Sequence, residues 1–288
     1  MSLACLLLLA VTPAPAGELD YAPASAIVEK ARGAWFRKVV SPEGAAFEGL
    51  EAWGVLPEPS FDPAREHRAA PGEDAYKTGP LDRPDVYLGL HADGAEVDAG
   101  LIWDRVYDRD GRDTGEFAYR VYWRTSKGGW SNPAVGAPDN LYLRPGDRFA
   151  LTLRALPDGS ARLSVRRAGA DGASAGYQFP VPGLIAEDGS LKPLSFKRVH
   201  SLDQFRLEGG RRRGNEGRPA LPTRTTLEGG RWEGARLLRS DGSRAALAGG
   251  LATVARGVDA AGRYGAVFPG AGVGKGGAEE MRILPPRS

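Results

Sequence analysis

Asp147–Arg167, DRFALTLRALPDGSARLSVRR, decides the fold class. Phe149, Leu151 and Leu153 alternate with Ala150, Thr152 and Arg154, the period-two pattern of a strand with one face buried. Pro157-Asp158-Gly159-Ser160 then supplies turn chemistry, and Leu163 and Val165 resume the alternation. The stretch therefore reads as a β-hairpin.

Working outward, the same reading recurs. Phe117, Tyr119, Val121 and Trp123 alternate with Ala118, Arg120 and Tyr122, and Val86–Ala92 and Val97–Tyr107 read as strands before them. Ser195–His200, Trp232–Arg239 and Gly265–Phe268 follow, with Asp241-Gly242-Ser243 as a turn. The chain holds 40 glycines and 22 prolines, which favours many turns over long helices. Closely spaced strands without interleaved helices predict an all-β antiparallel sandwich or closed barrel. One short helix is expected within Ala24–Arg37, where Ile27, Val28, Ala31 and Trp35 approach helical spacing, and then a strand from Trp35 to Val40. Val55–Pro80, with Pro57, Pro59, Pro63 and Pro71, reads as a long irregular connection. Leu207–Arg218 (LEGGRRRGNEGR) reads as an exposed loop, and Gly270–Gly277 as flexible.

The N-terminus has the form of an export signal. Leu3–Val11 is a short apolar run and Ala14-Pro15-Ala16 a small-x-small cleavage pattern, although no Lys or Arg precedes the run. The run is about half the ~20 residues that a spanning helix needs, so membrane insertion is not expected. Cleavage after Ala16 removes Cys5, the one cysteine, and leaves a chain with no thiol chemistry. The expected organisation is a signal peptide (1–16), an N-terminal segment packing on the sandwich (17–84), the sandwich (85–269) and a flexible tail (270–288). Export to the periplasm or the extracellular space follows. The net charge of +2 gives no reason to expect nucleic acid, and a monomer is expected.

No cofactor motif stands up. Gly270–Gly277 (GAGVGKGG) lacks the phosphate-loop spacing, because Pro269 stands where a glycine is required. Asp104, Asp108, Asp110 and Asp113 offer carboxylates for calcium, but Arg112 falls at a ligand position and neighbouring arginines compete, so a solvated hairpin loop turning at Asp110-Gly111 is expected. His67, His91 and His200 have no zinc-site spacing, and no metal is expected. A serine hydrolase is not expected either.

Two constellations carry possible chemistry. Trp103, Tyr107, Tyr119, Tyr122, Trp123, Trp130 and Tyr142 crowd together. Tyr119 and Trp123 share one face of their strand and Tyr122 takes the other, near Arg120 and Arg124. These aromatics either fill the core or present a ligand face, with Tyr122, Arg120, Trp130 and Arg198 as its binding residues. Asp98 sits in the apolar strand Val97-Asp98-Ala99-Gly100-Leu101 and would have a raised pKa if buried, or would face solvent opposite Val97.

Tyr87-Leu88-Gly89-Leu90, Val97-Asp98-Ala99-Gly100-Leu101, Tyr119-Arg120-Val121-Tyr122-Trp123 and Leu143-Arg144-Pro145-Gly146-Asp147-Arg148 occur in an order that resembles the glutamic peptidases, or eqolisins. The resemblance implies a concanavalin-like jelly-roll of two antiparallel sheets, and peptide hydrolysis by a glutamine and a glutamate. The glutamine position falls on Asp98. The glutamate strand would be Ser195–Gln204, which has no Glu but holds His200, Asp203 and Gln204. Phe196–Gln204 (FKRVHSLDQ), Gly214–Thr223 (GNEGRPALPT) and Gly229–Gly242 (GGRWEGARLLRSDG) are similar to secreted bacterial proteins of the YrpD type, a resemblance that implies no reaction. Two functions are expected from these readings. The first is a binding module for polysaccharide or peptide on a concave sheet face. The alternative is a hydrolase in which Asp98 acts as acid or base with His200 or Gln204 opposite.

Overall fold

In the computed structural model, the described residues are 34–41, 47–74, 77–137, 140–169, 172–215, 218, 220–247, 253–256 and 275–284. Nineteen strands fall in this set: β1 (Ala34–Val40), β2 (Phe47–Val55), β3 (Glu58–Ser60), β4 (Glu66–His67), β5 (Gly79–Pro80), β6 (Asp82–Ala92), β7 (Ala95–Tyr107), β8 (Asp113–Thr125), β9 (Gly129–Ser131), β10 (Tyr142–Leu143), β11 (Arg148–Ala155), β12 (Ser160–Ala168), β13 (Ser174–Pro180), β14 (Ser195–Glu208), β15 (Arg211–Gly214), β16 (Thr226–Arg239), β17 (Arg244–Ala246), β18 (Thr253–Arg256) and β19 (Glu279–Ile283). They form two antiparallel sheets. The front sheet runs β10-β8-β7-β6-β14-β1-β18, with β9 on β8 and β15 on β14. The back sheet runs β13-β12-β11-β2-β16-β17, with β3 and β19 on β16, and β4-β5 stands apart as a small ladder.

The Asp147–Arg167 hairpin is β11–β12, with Leu151 opposite Val165 and Leu153 opposite Leu163. Its apolar row enters the space between the sheets. There Leu50, Ala52, Val86, Leu88, Leu101, Val121, Tyr119, Phe149, Phe196 and Trp232 belong to one continuous core. Each sheet buries one face in this way and keeps polar residues on the other.

Several sequence expectations are corrected. The short N-terminal helix is not supported: Ala34–Arg37 lies in β1, and the rest of that segment lies outside the described residues, as do the signal peptide and Gly265–Phe268. The N-terminal segment does not merely pack on the sandwich. It supplies β1 to the front sheet and β2 to the middle of the back sheet, and the expected boundary at 84/85 cuts β6. The C-terminal stretch is not wholly a tail, since β19 buries Met281 and Ile283 against β16. Leu207–Arg218 is largely a hairpin, because Gly209 and Gly210 both adopt positive φ, which a two-residue turn requires, and β15 then pairs back on β14. Arg212 in that hairpin lies over the Phe205 ring at 4.0 Å, and burial pulls its pKa down to about 10.

Candidate functional site

Because side chains alternate along a strand, the outer face of the front sheet can be read row by row across β8, β7, β6, β14 and β1. One row is Tyr122, Gly100, Tyr87, Val199, Lys38. The next on one side is Arg124, Asp98, Gly89, Lys197, Val40, and on the other side Arg120, Ile102, Asp85, Ser201, Phe36. Asp203 follows, opposite Arg83 and Ala34. The two glycines make a hollow. A Cβ on Gly89 would lie 2.3 Å from the Lys197 side chain and 2.9 Å from Asp98 Oδ1. One on Gly100 would meet the Val86 carbonyl at 2.5 Å and Tyr87 at 2.6 Å. Without these side chains the sheet holds a cavity of about 330 Å³, lined by Asp85, Tyr87, Asp98, Tyr122, Lys197, Asp203 and their neighbours.

Carboxylates dominate its floor. Asp85 is 1% exposed and accepts hydrogen bonds from the Ser201 hydroxyl and, at 3.3 Å, from the Tyr122 phenol. Ser201 Oγ also lies 3.4 Å from Asp203 Oδ1, so one hydroxyl stands between two acids. Burial raises the Asp85 pKa well above the carboxylate range, and the Asp203 charge raises it further. Asp203 itself is pushed up to about 6, first by burial and then by Asp98, against the pull of Arg83 and Arg124. Asp98 pairs with Lys197 Nζ at 2.7 Å. Burial works against the Lys197 ammonium, but Asp98 and Glu96 hold its pKa above the ordinary value. Burial, with the neighbouring carboxylates, keeps the Tyr87 and Tyr122 phenols protonated. At the rim Trp130, 41% exposed, stacks on Tyr122 with centroids 4.5 Å apart and planes 7° from parallel.

Of the residues singled out from sequence, Asp98, Tyr122 and Trp130 line this cavity. The others do not. Arg120 shares the sheet face but is 5% exposed; it donates to the Pro133 carbonyl at 2.6 Å and sits over the Tyr107 ring. Arg198, His200 and Gln204 follow the opposite parity of β14 from Lys197, Ser201 and Asp203, and turn into the sandwich. Arg198 pairs there with Glu279 and donates to the Gly277 carbonyl; Arg37 meets the same carboxylate. His200 Nδ1 faces Trp232 Nε1 at 3.4 Å, and burial, with Arg37 and Arg198, drives its pKa well below normal, so it is a neutral core imidazole. Gln204 holds both backbone polar groups of Leu221. His200 and Gln204 therefore cannot act with Asp98 across one face. Sequence reading missed Asp85, Ser201, Asp203 and Lys197 as a set. Their signal was parity: 197, 201 and 203 alternate with the apolar and core positions of β14, as Asp85 and Tyr87 do in β6.

The acidic loop of the β7–β8 hairpin is held by arginines and its own turn. Asp113 meets Arg105, Asp104 meets Arg83 at 3.1 Å, Asp110 meets Arg112 at 2.8 Å, and Asp108 Oδ1 accepts from the Asp110 and Arg112 amides. Among the described residues no cluster of three or more His, Cys, Asp or Glu is placed to hold a metal, and no helix is long and apolar enough to cross a membrane. Gly172-Ala173-Ser174-Ala175-Gly176 spells Gly-x-Ser-x-Gly, but Ser174 opens strand β13 and no helix follows, so the nucleophile-elbow setting is missing.

No protein-family model matches the chain, and no curated protein matches it in sequence. Solved structures do share its fold. Scytalido-glutamic peptidase bound to a peptide-based transition-state analogue aligns with a TM-score of 0.52 and 11% identity, over 88% of this chain and 100% of that one. SCP-B, a member of the eqolisin family in complex with the tripeptide Ala-Ile-His, aligns with a TM-score of 0.50 and 13% identity, over 88% and 100%. The chain has a glutamic-peptidase-like β-sandwich. At this identity the likeness speaks for the fold and leaves activity to the site.

Proposed function

We propose that the front-sheet cavity is the active site of a hydrolase that cleaves peptide bonds by acid–base catalysis with Asp85 and Asp203. The observation that carries this reading is the pair of carboxyl groups on either side of Ser201, both with raised proton affinity and both lining a cavity. Perturbed acids of this kind cluster at functional sites, and two that share a proton divide the roles of acid and base. As pH rises through about 6, Asp203 ionises while Asp85 keeps its proton. Asp203 then takes a proton from a water that adds to the substrate carbonyl carbon. Asp203, now protonated, hands that proton to the amine nitrogen as the C–N bond of the tetrahedral adduct breaks, which releases amine and carboxylic acid and restores the ionised Asp203. Protonated Asp85, held by the Ser201 hydroxyl, keeps a second negative charge out of the site. Lys197 supplies positive charge to the cavity for the developing oxyanion. Peptide is the favoured substrate because two fold relatives hold peptide ligands, and because β7 and β14, the strands singled out by resemblance, bring Asp98 and Asp203 to this cavity.

A peptide-library digestion read by mass spectrometry tests it. Cleavage by the wild type, and its loss of at least about a hundredfold in both Asp85→Asn and Asp203→Asn, is the expected result. Wild-type turnover that survives both substitutions sinks the assignment. A second reading rests on Trp130. An exposed indole stacked at a cavity rim suits a ligand ring, so the same face can serve a binding module for polysaccharide or peptide. Binding without cleavage, unchanged in Asp203→Asn, favours it. Export by the 1–16 signal stays part of the proposal, and sequencing of the processed N-terminus checks it.

A further inference from the structure

The back sheet turns a different surface outward. On β11 the outward positions are Arg148, Ala150, Thr152 and Arg154; on β12 they are Arg162, Ser164, Arg166 and Ala168. Arg154 stands directly opposite Arg162 across the ladder. Like charges facing each other on adjacent strands are destabilising, and this pair is only half-compensated within the fold. Glu48 meets Arg154 at 2.6 Å from the edge of β2, and Arg162 has the neutral Gln178 at 2.8 Å. Among the described residues no carboxylate comes within ion-pair distance of Arg166 or of Arg244 on β17. Glu51 is the single acid among the outward paired positions of β2, β11, β12 and β13, while Glu233 on the neighbouring β16 takes Arg148 at 2.7 Å. Between the arginines lie Ala150, Thr152, Ser164, Ser174 and Gly176, whose side chains are too short to cover the backbone. The face is thus a shallow platform with hydroxyls in its floor and guanidinium groups about it. On it, Arg162 and Arg166 are about 14 Å apart along one strand.

We propose that this outer face of the back sheet binds a linear anionic polysaccharide that bears carboxylates, and so tethers the protein while the cavity on the opposite sheet stays open. Guanidinium forks match carboxylates in a bidentate manner, and the Thr152, Ser164 and Ser174 hydroxyls and the Gln178 amide can answer sugar hydroxyls. A nucleic acid fits less well. Its single strands are gripped by stacking on aromatic rings; Phe149, Tyr177 and Phe179 of β11 and β13 point into the core, and Trp53 of β2, opposite Ala150 on this face, already lies under Arg236 at 4.9 Å.

The test is retention of the purified chain on immobilised polygalacturonate, with immobilised dextran and a single-stranded oligonucleotide as comparison matrices. The expected result is retention on polygalacturonate at 50 mM salt, release by about 0.2 M, and none on dextran. Arg162→Gln with Arg166→Gln should weaken binding about tenfold. Both positions are exposed, and the melting temperature should hold or rise as the like-charge pair is dissolved. Arg166→Glu alone serves as a second variant and should lose affinity at an unchanged melting temperature. Absence of retention, equal retention on dextran, tighter retention on the oligonucleotide, or full retention by these variants each overturns the proposal. Peptide cleavage plays no part in the readout, so this face and the cavity stand or fall separately.

Discussion

Replacing Asp203 by asparagine removes a charge that the fold resists and the proposed chemistry needs. The carboxyl group is pushed up to about 6 in the folded chain, against about 3.9 for an unperturbed Asp. At about 1.4 kcal/mol per tenfold change in proton affinity, ionising it costs the folded state up to about 3 kcal/mol. The sign follows from proton counting. Between pH 4 and 6 the folded chain binds more protons than the unfolded one, so this group's contribution is fully present below about 4 and is lost as pH rises through about 6. Asparagine never ionises. Asp203→Asn should therefore match the wild type at pH 4 and exceed it at pH 7.5, by about 1–3 kcal/mol once solvent screening at the cavity mouth is allowed for. At roughly 2–4 °C per kcal/mol for a chain of this size, the melting temperature at pH 7.5 should rise by about 2–12 °C. Thermal melts of both proteins at the two pH values give the answer. In the same variant the rise of activity through pH 6 should disappear. An Asp203→Asn protein less stable than wild type at pH 7.5 refutes the reasoning: Asp203 would then be a contented partner of Arg83 and Arg124, not a strained acid.

Other perturbations test the packing behind the site. Gly100→Val puts a Cβ against the Val86 carbonyl and the Tyr87 side chain, and should cost about 2–4 kcal/mol in urea denaturation while closing the cavity floor. Glu279→Gln leaves Arg37 and Arg198 buried without their shared carboxylate, and should lower stability by about 3–5 kcal/mol in the same assay. Trp130→Ala removes a half-exposed ring and should change stability by less than about 1 kcal/mol, yet weaken ligand binding by about 1–3 kcal/mol in calorimetry.

The hairpin at Asp147–Arg167 was legible because its strands are neighbours in sequence, half-buried, and joined by a turn of Pro, Asp and Gly. Asp98 was legible for a related reason, an acid in a small and apolar strand, and it does line the cavity. What the sequence hid depends on distant partners. Asp85 meets Ser201 across 116 residues, and nothing local to either strand announces the pair. Arg198 and His200 were read outward because charged and polar side chains usually are. A carboxylate 81 residues further on makes the inward placement of Arg198 tolerable, and desolvation leaves His200 without charge. The chain from Glu279 to Ile283 looked like a tail because a five-residue strand beside a glycine-rich stretch shows no pattern until β16 receives it.

The buried group of Arg37, Arg198 and Glu279 also sets a schedule for biosynthesis. Arg37 comes from the first described strand, Arg198 from the middle of the chain, and Glu279 from the last strand. Until β19 has emerged from the ribosome, two guanidinium groups have no counter-charge between the sheets, and closing the sandwich over them is unfavourable. Closure of the sandwich over this group therefore waits for the C-terminal strand, with pairings that span most of the chain's length.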